Sequence, residues 1–178
     1  MKTETRKQSL FIRRYLLLCL LLPGACGFSL RGGDQLLAEL PNLALNLQQP
    51  AAELPILLQR RLASAGVNIL NDNEAAQTDI PVLTVEAEQL VSRPVTVNPR
   101  ARAAQYELLM SVTISVAGVN TILMEPDVLS VERLFFENIE TISGNLEEMQ
   151  VIQAEMRREL VDQILRRLEA LSATRANT

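Results

Sequence analysis

Apolar residues recur along this chain with two different periods. Leu43, Leu45 and Leu47 alternate with Ala44 and Asn46, the period of a half-buried strand. From Leu54 the period lengthens. Leu54, Leu57, Leu58, Leu62 and Ala65 follow at i, i+3, i+4, i+8 and i+11, and Gln59, Arg60 and Arg61 fill the outer face. That spacing predicts an amphipathic helix. Pro50 and Pro55 bracket its start, and Gly66 is placed to cap its C-terminus. Val67-Asn68-Ile69-Leu70 reads as a short extended return, and Asn71-Asp72-Asn73-Glu74 as a loop.

A β-rich block follows. Leu83, Val85 and Ala87 alternate with Thr84, Glu86 and Glu88. Tyr106, Leu108, Met110, Val112, Ile114 and Val116 alternate with Gln105, Glu107, Leu109, Ser111, Thr113 and Ser115. Gly118-Val119-Asn120 predicts a turn, and Val128 to Phe136 another strand. Strands apolar on one face and polar on the other fit a largely antiparallel sheet covered on one side. The period then returns to that of a helix. Met149, Ile152, Met156, Leu160, Ile164, Leu168 and Leu171 advance by threes and fours. Asn145 with Glu148 resembles a capping box. The stripe is read as core packing against the sheet, since its repeat is short for a coiled coil. Residues 173–178 are expected to fray. The order strand, helix, short strand, three longer strands, helix predicts a two-layer α+β sandwich.

The first 25 residues have a different character. Lys2, Arg6, Lys7, Arg13 and Arg14 precede the apolar run Tyr15–Leu22, and Pro23-Gly24-Ala25-Cys26 closes it. Basic, apolar and then small residues make the order of a secretory signal. The run is eight residues long, far short of the roughly 20 that span a bilayer. Cys26 after Gly24 and Ala25 has the local pattern of a lipoprotein signal, although Pro23 stands where such signals usually carry Leu. The expectation is that residues 1–25 are removed and Cys26 is acylated. Several acyl chains on one residue would anchor the chain stably, at about 0.8 kcal/mol per buried CH₂. Gly27, where an Asp would signal inner-membrane retention, favours the outer membrane.

Charge and composition narrow the function. Five of the 17 basic residues and one of the 21 acidic residues lie in 1–25, leaving a formal charge of −8 on the remainder. An acidic chain with no Trp argues against general nucleic-acid binding. The sequence has no His, which excludes Ser-His-Asp catalysis and His-containing metal sites. No metal site and no nucleophile motif is expected, and a hydrolase is disfavoured.

The heptapeptide Cys26-Gly27-Phe28-Ser29-Leu30-Arg31-Gly32 has the pattern Cys-Gly-aromatic-x-Leu-Arg-Gly. It resembles the mature start of the LptE (RlpB) family of lipopolysaccharide-assembly outer-membrane lipoproteins. Three further segments are similar to that family in the same order. They are Leu57-Leu58-Gln59-Arg60-Arg61-Leu62 with Gly66-Val67, Ala104-Gln105-Tyr106-Glu107-Leu108, and Val131-Glu132-Arg133-Leu134-Phe135-Phe136-Glu137-Asn138. The resemblance implies a four-stranded mixed, mostly antiparallel sheet with two helices on one face, in a single domain over 26–172. It implies a non-enzymatic protein with no cofactor beyond the covalent lipid on Cys26. It also implies a place on the periplasmic side of the outer membrane, in the lumen of an LptD barrel. There the pair would insert lipopolysaccharide into the outer leaflet. The alternative is a free-standing lipid-binding or transport-auxiliary lipoprotein.

One stretch is anomalous in so acidic a chain. Gln89 to Tyr106 holds Arg93, Arg100 and Arg102 and no acidic residue. Pro94 and Pro99 predict a loop or a broken strand edge there. Arginine binds phosphate bidentately, so these three, with Arg133 added, are the candidate lipopolysaccharide contacts. The alternative is that they solubilise a hairpin or pair with acids of the barrel. The family's second basic loop has no counterpart, because 139–148 contains no Lys or Arg.

Overall fold

The first alternating run becomes strand β1 (Asn42–Leu47). The structure is a computed structural model that describes residues 40–70, 80–97, 103–118, 120–137 and 142–176. After β1 come α1 (Glu53–Ser64), β2 (Asn68–Leu70), β3 (Val82–Val85), β4 (Gln89–Val97), β5 (Ala103–Ala117), β6 (Ile122–Phe136) and α2 (Ile142–Ala176). Among the described residues the architecture is α+β with two helices and a mixed sheet, the class that the alternation predicts.

β1 runs parallel to both its neighbours, with Leu43 opposite Ile69 of β2 and Leu45 opposite Leu83 of β3. The remaining pairings are antiparallel. β5 is shared by three strands. β6 pairs along nearly its whole length, while β3 and β4 divide its other edge. Val82–Val85 meets Ile114–Ala117, and Gln89–Val97 meets Ala103–Ser111. Among the described residues the sheet therefore has six strands, where the alternation predicts five and the resemblance implies four; the one that the alternation leaves open is β4. Its register shifts between Pro94 and Thr96. An edge strand tolerates a proline, which lacks a ladder donor. Of the two readings of this stretch, the broken strand edge is the one realised over 89–97.

Side chains of one sheet face build the core. Leu43 on β1, Leu83 and Val85 on β3, Leu108, Met110, Val112, Ile114 and Val116 on β5, and Leu129, Val131 and Phe135 on β6 are buried. Met156, Leu160, Val161, Ile164 and Leu168 of α2 and Leu54, Leu58 and Leu62 of α1 join the same cluster. Each fully buried Leu contributes about 1.5–3 kcal/mol. Tyr106 packs at the rim of this face, its ring 6.4 Å from that of Phe135. The Tyr106 hydroxyl donates to Glu137 at 3.2 Å. Desolvation first, then that hydrogen bond, pushes its pKa up.

Helix ends follow the sequence unevenly. Gly66 sits at φ 79°, a conformation that glycine alone adopts without penalty. Its N–H donates to Ala63 and that of Val67 to Leu62, the paired hydrogen bonds of a Schellman cap. The start of α2 departs from expectation. The helix begins at Ile142, so Asn145 lies inside it, and the first turn holds no acidic residue. At the far end the helix includes 173–176, part of the expected tail. Ser172 is fully buried, with its hydroxyl donating to the Glu169 carbonyl at 2.7 Å.

Candidate binding surface

The two faces of the sheet place the sequence-predicted arginines differently. Register sets Arg93 opposite Glu107, and Glu107 opposite Leu134. These residues alternate with the buried ones, so Arg93 stands on the face away from the helices, and it is exposed. Arg133 lies opposite Leu108 and therefore on the helix-covered face. There it forms an ion pair with Glu159 of α2 and also donates to the Glu132 carbonyl at 2.8 Å. Arg93 and Arg133 are thus not brought together. Cys26, Arg100 and Arg102 lie outside the described residues.

The face away from the helices is not purely polar. Across it run Val91–Leu109–Glu132, Arg93–Glu107–Leu134 and Gln89–Ser111–Ser130, with Phe136 opposite Gln105. Leu134 is 53% and Phe136 63% exposed, and Val91 and Val128 are exposed as well. Alternation alone predicts Ser, Thr, Gln and Glu here. The exposed apolar members come from β6 and β4, where the alternating pattern is weakest.

A charged cluster that the sequence hides ties the layers together. Arg157 of α2 grips Glu88 with Nε at 2.8 Å and Nη2 at 2.7 Å, and reaches Glu53 of α1 at 2.6 Å. Arg157 and Glu88 are each 16% exposed, whereas Glu53 is 75% exposed. The hydrogen bonds to Glu88, opposed by desolvation, raise the arginine's already high pKa, so it stays charged. Glu88 can reach it because residues 86–88 interrupt the strand between β3 and β4. Glu86 N–H donates to Thr113 O at 3.0 Å, and Ala87 N–H to the Gln48 side chain at 2.7 Å. Helical spacing puts Arg157 on the polar side of α2, and Glu88 lies 69 residues away, so no local pattern signals the pair. A second ion pair, Arg61 with Asp162, joins α1 to α2, and Arg167 meets Asp127 of β6 at 2.9 Å.

Among the described residues no group of three or more His, Cys, Asp or Glu is placed to hold a metal ion. Nor is any helix there long and apolar enough to cross a membrane. What the surface offers is a broad sheet face with interleaved charges and apolar side chains.

Comparison with known proteins decides the family. Residues 40–168 match the family model LptE, described as lipopolysaccharide-assembly. The chain belongs to the LptE family. The match covers every described strand and most of α2. The LPS-assembly lipoprotein LptE of Pectobacterium atrosepticum is 27% identical over 157 residues, covering 88% of this chain and 84% of that protein. The LPS-assembly lipoprotein LptE of Yersinia pestis is 30% identical over 158 residues, covering 88% and 74%. The crystal structure of the rare lipoprotein B from Shewanella oneidensis has a TM-score of 0.65 at 26% identity, covering 76% of this chain and 97% of that one. The LptE-family assignment and the two-layer fold therefore agree.

Proposed function

We propose that this LptE-family chain is a non-enzymatic subunit that seats in the lumen of an LptD-type outer-membrane barrel and helps insert lipopolysaccharide into the outer leaflet. Acyl chains on Cys26 hold it at the periplasmic side of that membrane. The observation that carries the reading is the family match over residues 40–168. The sheet is compatible with it. One face is closed by two helices. The other presents Arg93, Glu107 and Glu132 among Val91, Leu134 and Phe136 over strands fifteen residues long. At about 3.3 Å per residue, such strands reach roughly 50 Å, longer than the apolar band of about 25 Å on an outer-membrane barrel. The lumen of such a barrel is polar, and a face of mixed charge suits it.

Within this reading, Arg93, Arg100 and Arg102 contact the phosphates of lipopolysaccharide, since guanidinium binds phosphate bidentately. Arg133 is held by Glu159 and is the weaker contact of the four. The test is a detergent pull-down of the tagged protein from its native outer membrane, with partners identified by mass. One-to-one recovery of a large barrel protein is the expected result. Recovery of the lipoprotein alone, under conditions that keep other barrel complexes intact, would overturn the reading. A free-standing lipid-binding lipoprotein would then be the better account.

A further inference from the structure

α1 and α2 leave a groove between them that core packing does not close. Glu53, Ile56, Leu57 and Arg60 line it from α1, at the i, i+3, i+4 and i+7 spacing that shares one helix face. Ala154, Arg157 and Arg158 line it from α2. Its volume is about 420 Å³, within the range of small-molecule sites. Part of the lining is apolar. Ile56 is exposed, and Leu57 and Ala154 are half-buried.

The remainder is cationic. Arg157 is held by Glu88 and Glu53. Arg60 and Arg158 are exposed and have no carboxylate partner among the described residues. Arg158 Nε donates to the Ala154 carbonyl of its own helix at 3.2 Å. Glu53, the one carboxylate lining the groove among the described residues, is already engaged by Arg157. Two uncompensated guanidinium groups thus stand beside an apolar wall on a chain of formal net charge −4. The complementary ligand carries an anion and an apolar body. The planar fork of guanidinium matches phosphate better than it matches a point charge.

We infer that the α1–α2 groove binds a phosphate monoester with an apolar chain, Arg60 and Arg158 taking the phosphate and Ile56 and Leu57 lying under the chain. Arg157, fixed by Glu88, keeps the two walls in place. Every residue of the site comes from this chain, so it stands whether or not a barrel partner exists.

The test uses the full chain in non-ionic detergent, titrated with dihexanoylphosphatidic acid, a soluble short-chain phosphate monoester. Arginine Nε–H resonances and titration calorimetry report binding. The signals of Arg60 and Arg158 are expected to move and that of Arg167, paired with Asp127, to stay. Dihexanoylphosphatidylcholine, which lacks the monoester, is expected to shift neither. Replacing Arg60→Gln and Arg158→Gln together should weaken binding about tenfold, the scale of losing charge-assisted hydrogen bonds at a partly solvated site. Ile56→Ser should weaken the lipid while leaving inorganic phosphate unaffected. Equal affinity for inorganic phosphate and for the lipid would overturn the amphiphile assignment and leave a free-phosphate site. Still groove arginines on titration, or an equal loss on Arg167→Gln, would overturn the groove itself. Both arginines are exposed, so the paired variant is expected to fold, and an unchanged circular-dichroism spectrum checks it.

Discussion

The two faces of β5 and β6 share a backbone but differ in what their side chains meet. On one face Leu108, Met110, Val112, Leu129 and Val131 are buried under α2. On the other, Leu134, Phe136 and Val128 are more than half exposed, with Glu132 and Arg93 among them. The covered face uses its apolar residues to hold the domain together. The open face carries apolar residues left more than half exposed, and exposed clusters of this kind mark interaction surfaces. Stability and contact are thus assigned to opposite sides of the same strands.

Substitutions break that contrast in graded fashion. Leu160→Ala, in a side chain with no exposure, should destabilise by about 2–5 kcal/mol, the range for emptying a well-packed site. Urea unfolding with an unchanged denaturant slope reads this directly. Next comes Arg157→Met, which leaves Glu88 largely buried without its partner. About 2 kcal/mol is expected, from the penalty of orphaning a desolvated charge. Glu53→Gln at the same cluster should cost less than about 1 kcal/mol, because an exposed ion pair is screened by water. A comparable loss from both variants would mean that the cluster acts as one unit rather than through Glu88.

Smallest of all in the isolated chain should be Leu134→Asp combined with Phe136→Asp, within about 0.5 kcal/mol per site, as for surface positions generally. The same pair should markedly reduce recovery of a barrel partner in the pull-down. Lost stability without lost recovery would reverse the roles assigned to the two faces.

How far the sequence discloses this fold depends on how local the cause is. α1 is legible because its stripe of Leu54, Leu58 and Leu62 and the positive φ of Gly66 are properties of a dozen consecutive residues. β5 is legible because its inner face is buried residue after residue. β4 is not, because residues 89–96 are all exposed. With neither face buried, the strand has no alternation to impose, and Pro94 adds the signature of a loop. The start of α2 is misplaced for a related reason. Asn145 and Glu148 imitate a cap locally, yet the helix begins at Ile142.

The candidate surfaces follow the same division. Arg93 stands out as a basic residue in an acidic chain, and its exposure agrees with that. Arg133 looks equivalent in sequence, but strand parity turns it toward Glu159. The Arg157 cluster and the α1–α2 groove are assembled from segments about 70 to 100 residues apart, so neither period nor spacing announces them.

The way β5 and α2 divide the work has a consequence for the order of events in synthesis. Of the described strands β1 is made first, but its partner β3 needs β5 beyond it, and α2, which covers β5 and β6, follows all of them. Until Leu160, Ile164 and Leu168 have been translated, the inner face of β5 and β6 is an uncovered apolar slab about fifteen residues long. Long unsatisfied strands of that kind are prone to aggregate. The nascent domain therefore keeps that slab exposed until most of α2 is available, and a chain truncated inside α2 is expected to aggregate rather than to fold as a shorter domain.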